Sequence, residues 1–153
     1  MNKSSIEDFL SASEEAAIID AIREAEKNTS GEIRVHIEAS STPLDAATVN
    51  VFDRATEVFN FLHMDNTKFS NGVLIYVAVE DRNLVIMGDE GINKVVANDF
   101  WESTKDLMID HFSEGNMKQG LVDGILHAGE QLKKHFPYKR GDINELPDEI
   151  SIG

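Results

Sequence analysis

The sequence predicts an α/β domain: a small mixed sheet with helices on both faces. Three observations carry this. The run from Val73 to Val79 is apolar throughout, with no polar alternation. A strand of that kind is covered on both faces and sits inside an α/β sheet. Asp81-Arg-Asn83 then supplies turn formers, so Leu84 to Met87 folds back as an antiparallel neighbour. Upstream, Glu32 to Glu38 reads as a strand joined to Val73–Val79 through a helix-length segment. That strand–helix–strand unit is a crossover, which makes the first two strands parallel.

The elements follow in order. Ser11 and Glu14 form a capping-box pattern, opening a helix over about Ala12 to Lys27. Ile18, Ile22 and Ala25 give it one apolar stripe, with Ile19 beside it. Asn28-Thr-Ser-Gly31 ends it. In the first strand Ile33, Val35 and Ile37 face one way, while Glu32, Arg34, His36 and Glu38 face the other. That alternation predicts a half-buried strand. A second helix is expected from Thr42-Pro-Leu-Asp45, with Thr42 as cap and Pro43 at the first helical position. Val51, Phe52, Ala55, Val58, Phe59 and Leu62 form its apolar face. His63 to Lys68 is a polar link into the central strand.

After the third strand comes Gly88-Asp-Glu-Gly91, an acidic loop that glycine lets bend sharply. Asn98 or Asp99 begins a helix carrying Phe100, Trp101, Leu107, Met108, His111 and Phe112, and Gly115-Asn116 breaks it. A last helix carries Leu121, Ile125, Ala128 and Leu132, with Gly120 and Gly124 suited to close helix packing. Phe136 to Gly153 reads as loop, pinned by Ile143, Leu146, Ile150 and Ile152. At 153 residues and 17.0 kDa the chain is expected to be one domain over residues 1–137, with a tail over 138–153 packed on it or trailing from it.

Charge restricts the partners. Acidic residues number 28 against 14 basic ones, a net charge of -14. Nucleic acid needs a basic footprint and anionic membrane surfaces need the same, so neither is expected as a partner. Cations, or a basic protein, suit this surface. With no cysteine there is no thiolate nucleophile, thiolate metal site or disulfide. No apolar run reaches bilayer length and the N-terminus lacks a signal core, so a soluble, cytoplasmic chain is the expectation.

The topology itself suggests a site. If strands two and three form a hairpin, Asp89 and Glu90 neighbour Asn71 and Gly72. A parallel first strand brings Glu32 to the same end, and the link carrying Asp65 arrives there too. Such a cluster offers several oxygens and no soft ligand, which suits calcium or magnesium rather than zinc. Other signatures are missing. No EF-hand loop, zinc-binding His-Glu-x-x-His, phosphate loop with lysine or Gly-x-Ser-x-Gly elbow occurs. His36, His63, His111, His127 and His135 lack metal-ligand spacing and read as surface residues. Trp101 with Phe100 reads as core.

Taken in order, the acidic helix after Leu10, Thr29-Ser-Gly-Glu-Ile-Arg-Val35, Asn71-Gly-Val-Leu-Ile75, Asp81-Arg82 and Gly88-Asp-Glu-Gly91 resemble the TPM-domain family. That family is named for a thylakoid-lumen protein, a photosystem II accessory protein and a worm modulator of acetylcholine receptors. The resemblance covers about Phe9 to Pro137. It implies a three-layer α/β/α fold with a small mixed sheet, an acidic divalent-cation pocket, and a disputed acid phosphatase activity. Carried onto this chain, the metal residues are Glu32, Asn71, Asp89 and Glu90, with Asp99 and Asp123 as further additions. Two features depart from the usual pattern. Many members carry a signal peptide and a membrane anchor, not visible here, and many have a shorter Gly-aromatic-Gly turn in place of Gly-Asp-Glu-Gly.

Three functions fit these observations: a calcium- or magnesium-binding or interaction module, a metal-dependent phosphomonoester phosphatase, and an adaptor with no metal. The first needs only the acidic pocket. The second also needs a positive group for the transferred phosphate, and Arg82, the nearest candidate, is expected at the opposite end of the hairpin.

Overall fold

The computed structural model describes residues 10–42, 50–65, 67, 70–138, 148 and 150–152. Among these the chain forms α1 (Ala12–Glu26), β1 (Glu32–Glu38), α2 (Val51–Phe61), β2 (Gly72–Ala78), β3 (Asn83–Gly88), α3 (Glu90–Asn93), α4 (Glu102–Ser113), α5 (Met117–His135) and β4 (Ser151–Ile152). The sheet has the order β3-β2-β1-β4. β1 is parallel to β2, and β3 is antiparallel to it. A mixed sheet with a buried central strand is therefore what the apolar run Val73–Val79 becomes.

Both faces are covered, giving three layers. On one face Ile33, Val35, Ile37, Val73, Ile75, Val77 and Ile86 pack against α1 and α5. On the other, Leu74, Tyr76, Ala78 and Val85 meet Ala55, Val58 and Phe59 of α2. α4 lies against α5. Helices α1 and α5 approach closely because Gly129 faces Ala25: a Cβ on Gly129 would stand 2.7 Å from the Ala25 Cβ.

Local signals account for most element ends. The capping box on α1 forms as the sequence predicts, with the Glu14 N–H donating to Ser11 Oγ at 3.2 Å and the Ser11 N–H donating to Glu14 Oε1 at 3.0 Å. Gly115 takes a left-handed φ of 81° between α4 and α5, as a sharp helix break requires. Four readings change. A second helix continuous from Thr42 does not survive Asn50, which is extended and caps α2 through Oδ1 at 2.8 Å from the Phe52 N–H; residues 43–49, and with them the expected first helical position Pro43, lie outside the described residues. The helix expected at Asn98 or Asp99 starts at Glu102. Gly88-Asp-Glu-Gly91 is not a plain loop, since Asp89 caps the one-turn helix α3. The tail adds a strand, β4, parallel to β1, and Ile150 and Ile152 do pack on the core. Ile143 and Leu146 lie outside the described residues.

The largest revision concerns β1. Its polar face is not in water: Glu32, His36 and Glu38 are all buried. The covering elements are α2, which brings Arg54 over Glu38, and β4, which brings Ser151 beside His36. Strand alternation reports two chemically different faces, and a polar face can be buried when partners satisfy it.

Candidate cation site at one end of the sheet

The starts of β1 and β2 and the end of β3 meet at one sheet end. Register places Glu32 beside Gly72. The β2–β3 ladder begins at Val73 and Gly88 and continues outward. The Asp89 N–H donates to the Gly72 carbonyl at 2.9 Å, and the Gly91 N–H to the Ser70 carbonyl at 2.8 Å. Asp89 thus lies opposite Gly72. Glu32, Gly72 and Asp89 form one row across three strands, and the middle residue has no side chain.

Alternation places both carboxylates on the face that carries α2. Glu32 precedes core residue Ile33, and Asp89 follows Gly88, whose Cβ position points at Ile92. Two strand spacings separate the ends of the row, roughly 10 Å between Cα atoms. Two carboxylate side chains can therefore reach toward each other over the gap that Gly72 leaves.

Asp89 is the more informative of the two. It is only 8% exposed. Its Oδ1 accepts the Glu90 N–H at 2.8 Å, while its Oδ2 is buried with no hydrogen-bond donor among the described residues. Buried carboxylate oxygens are rarely left so. Glu32 is 3% exposed, and its N–H donates to the Asn71 carbonyl at 3.2 Å.

The other sequence candidates are spread around this row. Asn71 is 1% exposed, and its side-chain amide donates to the Ser30 carbonyl at 3.1 Å, tying the approaches to β1 and β2 together. Glu90 is exposed on the first turn of α3. Asp65 is exposed on the link before β2, and Asp99 is exposed ahead of α4. Asp123 is engaged on the α4–α5 pair, with Oδ2 at 2.9 Å from His111 Nε2 and Oδ1 accepting from Gln119. Among the described residues no three His, Cys, Asp or Glu side chains converge as a ready metal cage. Arg82 stands at the opposite end of the hairpin, left-handed with φ 55°. Arg34 shares a face of β1 with Glu32, one pair further along, as the strand alternation predicts, although the sequence reading offered only Arg82 as a cation for phosphate.

Two further clusters escaped the sequence reading, the first of them buried. The first centres on Glu38. Arg54 donates to it twice, at 2.8 Å from both Nε and Nη2. His36 Nε2 lies 2.9 Å from Oε1, and the Tyr76 hydroxyl donates to Oε2. His36 also stacks on Tyr76, and its Nδ1 lies 2.9 Å from Ser151 Oγ. Burial pushes the Glu38 carboxyl up, but the bonds from Arg54, His36 and Tyr76 outweigh it and hold the group at about 2. Burial and the bond to Glu38 push the Tyr76 phenol well up. The second, half-buried, lies where α1 meets β1 and Asp148. Glu26 Oε2 accepts the Ile33 N–H at 3.0 Å, and Arg23 Nε lies 3.5 Å from Asp148 Oδ2. The His36–Glu38 spacing was readable as a same-face pair, but nothing in the sequence announces Arg54 or Asp148 as partners.

Comparison with known proteins agrees with this architecture. A family model described as TPM domain matches residues 5–131. The NMR structure of the BA42 protein from the psychrophilic bacterium Bizionia argentinensis is 60% identical. The match covers 98% of this chain and 99% of that one, with a TM-score of 0.87. The solution NMR structure of the N-terminal domain of a P. gingivalis protein is 23% identical over 84% of this chain and 79% of that one. Its TM-score is 0.65, a likeness of fold alone. No curated protein sequence matches the chain. No helix among the described residues is long and apolar enough to cross a membrane. By the extent of the family match and of the likeness to BA42, this chain belongs to the TPM domain family.

Proposed function

We propose that this protein is a divalent-cation-binding module that takes calcium or magnesium at the Glu32–Gly72–Asp89 row. The observation that carries the reading is Asp89 Oδ2, a buried carboxylate oxygen without a donor among the described residues. A cation is the natural partner for such an atom, because burying an uncompensated charge is costly. The donors at hand are all oxygens: the Asp89 and Glu32 carboxylates, Glu90 from the rim, and loop carbonyls near Asn71. That set fits hard cations. Few carboxylates imply that water completes the coordination shell, as in most magnesium sites and the weaker calcium sites. The surrounding charge of -14 raises the local cation concentration and would suit a basic protein partner.

NMR titration of the metal-free protein with calcium and with magnesium tests the proposal. The expected result is saturable shifts at Glu32, Gly72 and Asp89, absent in Asp89→Asn. Shifts spread evenly over acidic surface residues, unaffected by that substitution, would replace the site with diffuse counterion binding.

A metal-dependent phosphomonoesterase is the second reading, and one feature favours it: Arg34 stands on the same face of β1 as Glu32. Its weakness is electrostatic, since a chain of this charge repels an anionic monoester. Magnesium-dependent turnover lost in both Asp89→Asn and Arg34→Gln would establish it.

A further inference from the structure

We propose that the outer edge of β3, flanked by Phe52 of α2, is a docking edge where an extended basic segment of another protein adds as a further strand. This inference is independent of cation binding.

The two edges of the sheet are treated differently. β4 covers the outer edge of β1 at His36 and Ile37. β3 is the opposite edge, with no strand beyond it among the described residues. Its backbone directions follow from the ladder. The Asp89 N–H donates to the Gly72 carbonyl at 2.9 Å, so the pairs Leu74–Met87, Tyr76–Val85 and Ala78–Asn83 are the ones that exchange bonds with β2. Leu84 and Ile86 then turn their N–H and C=O groups outward. Gly88 bears out the direction: its carbonyl accepts from the Asn93 side-chain amide at 3.0 Å, outside the ladder. No described residue hydrogen-bonds to the outward main-chain groups of Leu84 or Ile86.

Edge strands are usually protected by a lysine, a proline, a bulge or a covering segment. Asn83-Leu-Val-Ile-Met-Gly88 contains no charged residue and no proline, and it pairs with β2 residue for residue, without a bulge. An unprotected edge of this kind can accept a strand. Apolar surface lies next to it on the α2 face. Met87 is half-buried, and Thr56 Oγ1 of α2 lies 3.9 Å from its Sδ. One turn earlier on the same helix row, Phe52 is 58% exposed. An added strand directs alternate side chains to this face, where Met87 and Phe52 offer contact.

Charge selects the occupant. Asp53 and Glu57 are exposed next to Phe52 and Thr56 on α2, Glu57 also reaching Arg54 Nη1 at 3.3 Å. Between Glu80 and Asp99 the chain carries five acidic residues against two basic ones, Arg82 and Lys94. A second copy of the chain brings the same net charge of -14 and is repelled, whereas a lysine- or arginine-rich segment is attracted. Like charge thus keeps copies apart at an edge that stays open to a basic strand.

Amide exchange of the metal-free protein tests this with a blocked peptide of alternating lysine and valine, about seven residues long. In the free protein the Leu84 and Ile86 amides are expected to exchange fast while those of Val85 and Met87 are protected. At a peptide concentration about ten times the dissociation constant, the Leu84 and Ile86 amides should slow about tenfold. A glutamate–valine peptide has the strand propensity and the wrong charge; a lysine–proline peptide has the charge and cannot pair. Both should leave these amides fast. Phe52→Lys, at an exposed position outside both cores, should abolish the slowing. The proposal is overturned by Leu84 and Ile86 amides already slow in the free, dilute protein, by slowing that rising protein concentration alone produces, by no slowing with the lysine–valine peptide or equal slowing with the lysine–proline one, or by unchanged slowing in Phe52→Lys.

Discussion

Glu38 and Asp89 are both buried carboxylates, and their partners set them apart. Every oxygen of Glu38 is met by a donor from Arg54, His36 or Tyr76, whereas Asp89 Oδ2 has none among the described residues. The first arrangement is a structural lock; the second leaves a buried carboxylate oxygen for which a cation is the proposed partner. Removing one partner from a buried ion pair strands the other. Arg54→Ala is therefore expected to cost about 3 kcal/mol, the lower end of such losses because Arg54 is partly open to water; urea unfolding measures it. The same lock predicts an acid limb. Glu38 sits at about 2 when folded, below the ordinary carboxylate range. Its contribution is present above that range and is lost as pH falls from the ordinary range toward about 2. In Glu38→Gln this limb of the stability–pH curve should flatten. At this scale the sequence was partly legible. Glu32 and Asp89 emerged as neighbours because a hairpin and a parallel strand force them to one end. Arg54 stayed hidden because its pairing depends on how α2 lies across the sheet, which no local pattern encodes.

Elements were legible wherever local chemistry decides them. The Ser11–Glu14 box, the Gly115 break and the uninterrupted apolar run of β2 each have a short-range cause. Elements that depend on distant contacts were not. β4 is two residues in a prolyl tail, and it is a strand only because β1 offers it an edge. α2 begins at Val51 because Asn50, with extended backbone, supplies its cap. Helix packing yields its own test at Gly129. Alanine there would gain up to about 1 kcal/mol of helix propensity. Its Cβ would lie 2.7 Å from the Ala25 Cβ and 3.1 Å from the Ala25 Cα, so α1 must move. Overpacking of this kind costs about 1–3 kcal/mol, and Gly129→Ala is expected to lower thermal stability. An unchanged or raised melting temperature would show that the α1–α5 crossing yields easily.

Across the whole molecule, a charge of -14 surrounds the proposed site, whose candidate ligands are acidic. Self-repulsion of that kind weakens the compact state, so bound cation and general screening should both stabilise the fold. They are separable, because only a specific site saturates and depends on a named residue. The same charge sets the expectation for phosphomonoesters: turnover, if measured with magnesium, should be negligible at low ionic strength, where repulsion is least screened. Thermal unfolding with calcium tests the central claim most directly. For a weak oxygen site, with Kd on the order of 10⁻⁴–10⁻³ M, about 10 mM calcium should stabilise the fold by roughly 1.4–2.7 kcal/mol. That corresponds to about 3–10 °C in melting temperature for a domain of this size. Matched sodium chloride should give less, and Asp89→Asn should lose the calcium-specific part. An equal calcium shift in wild type and Asp89→Asn, or no shift beyond that of sodium chloride, would contradict a cation site at Asp89.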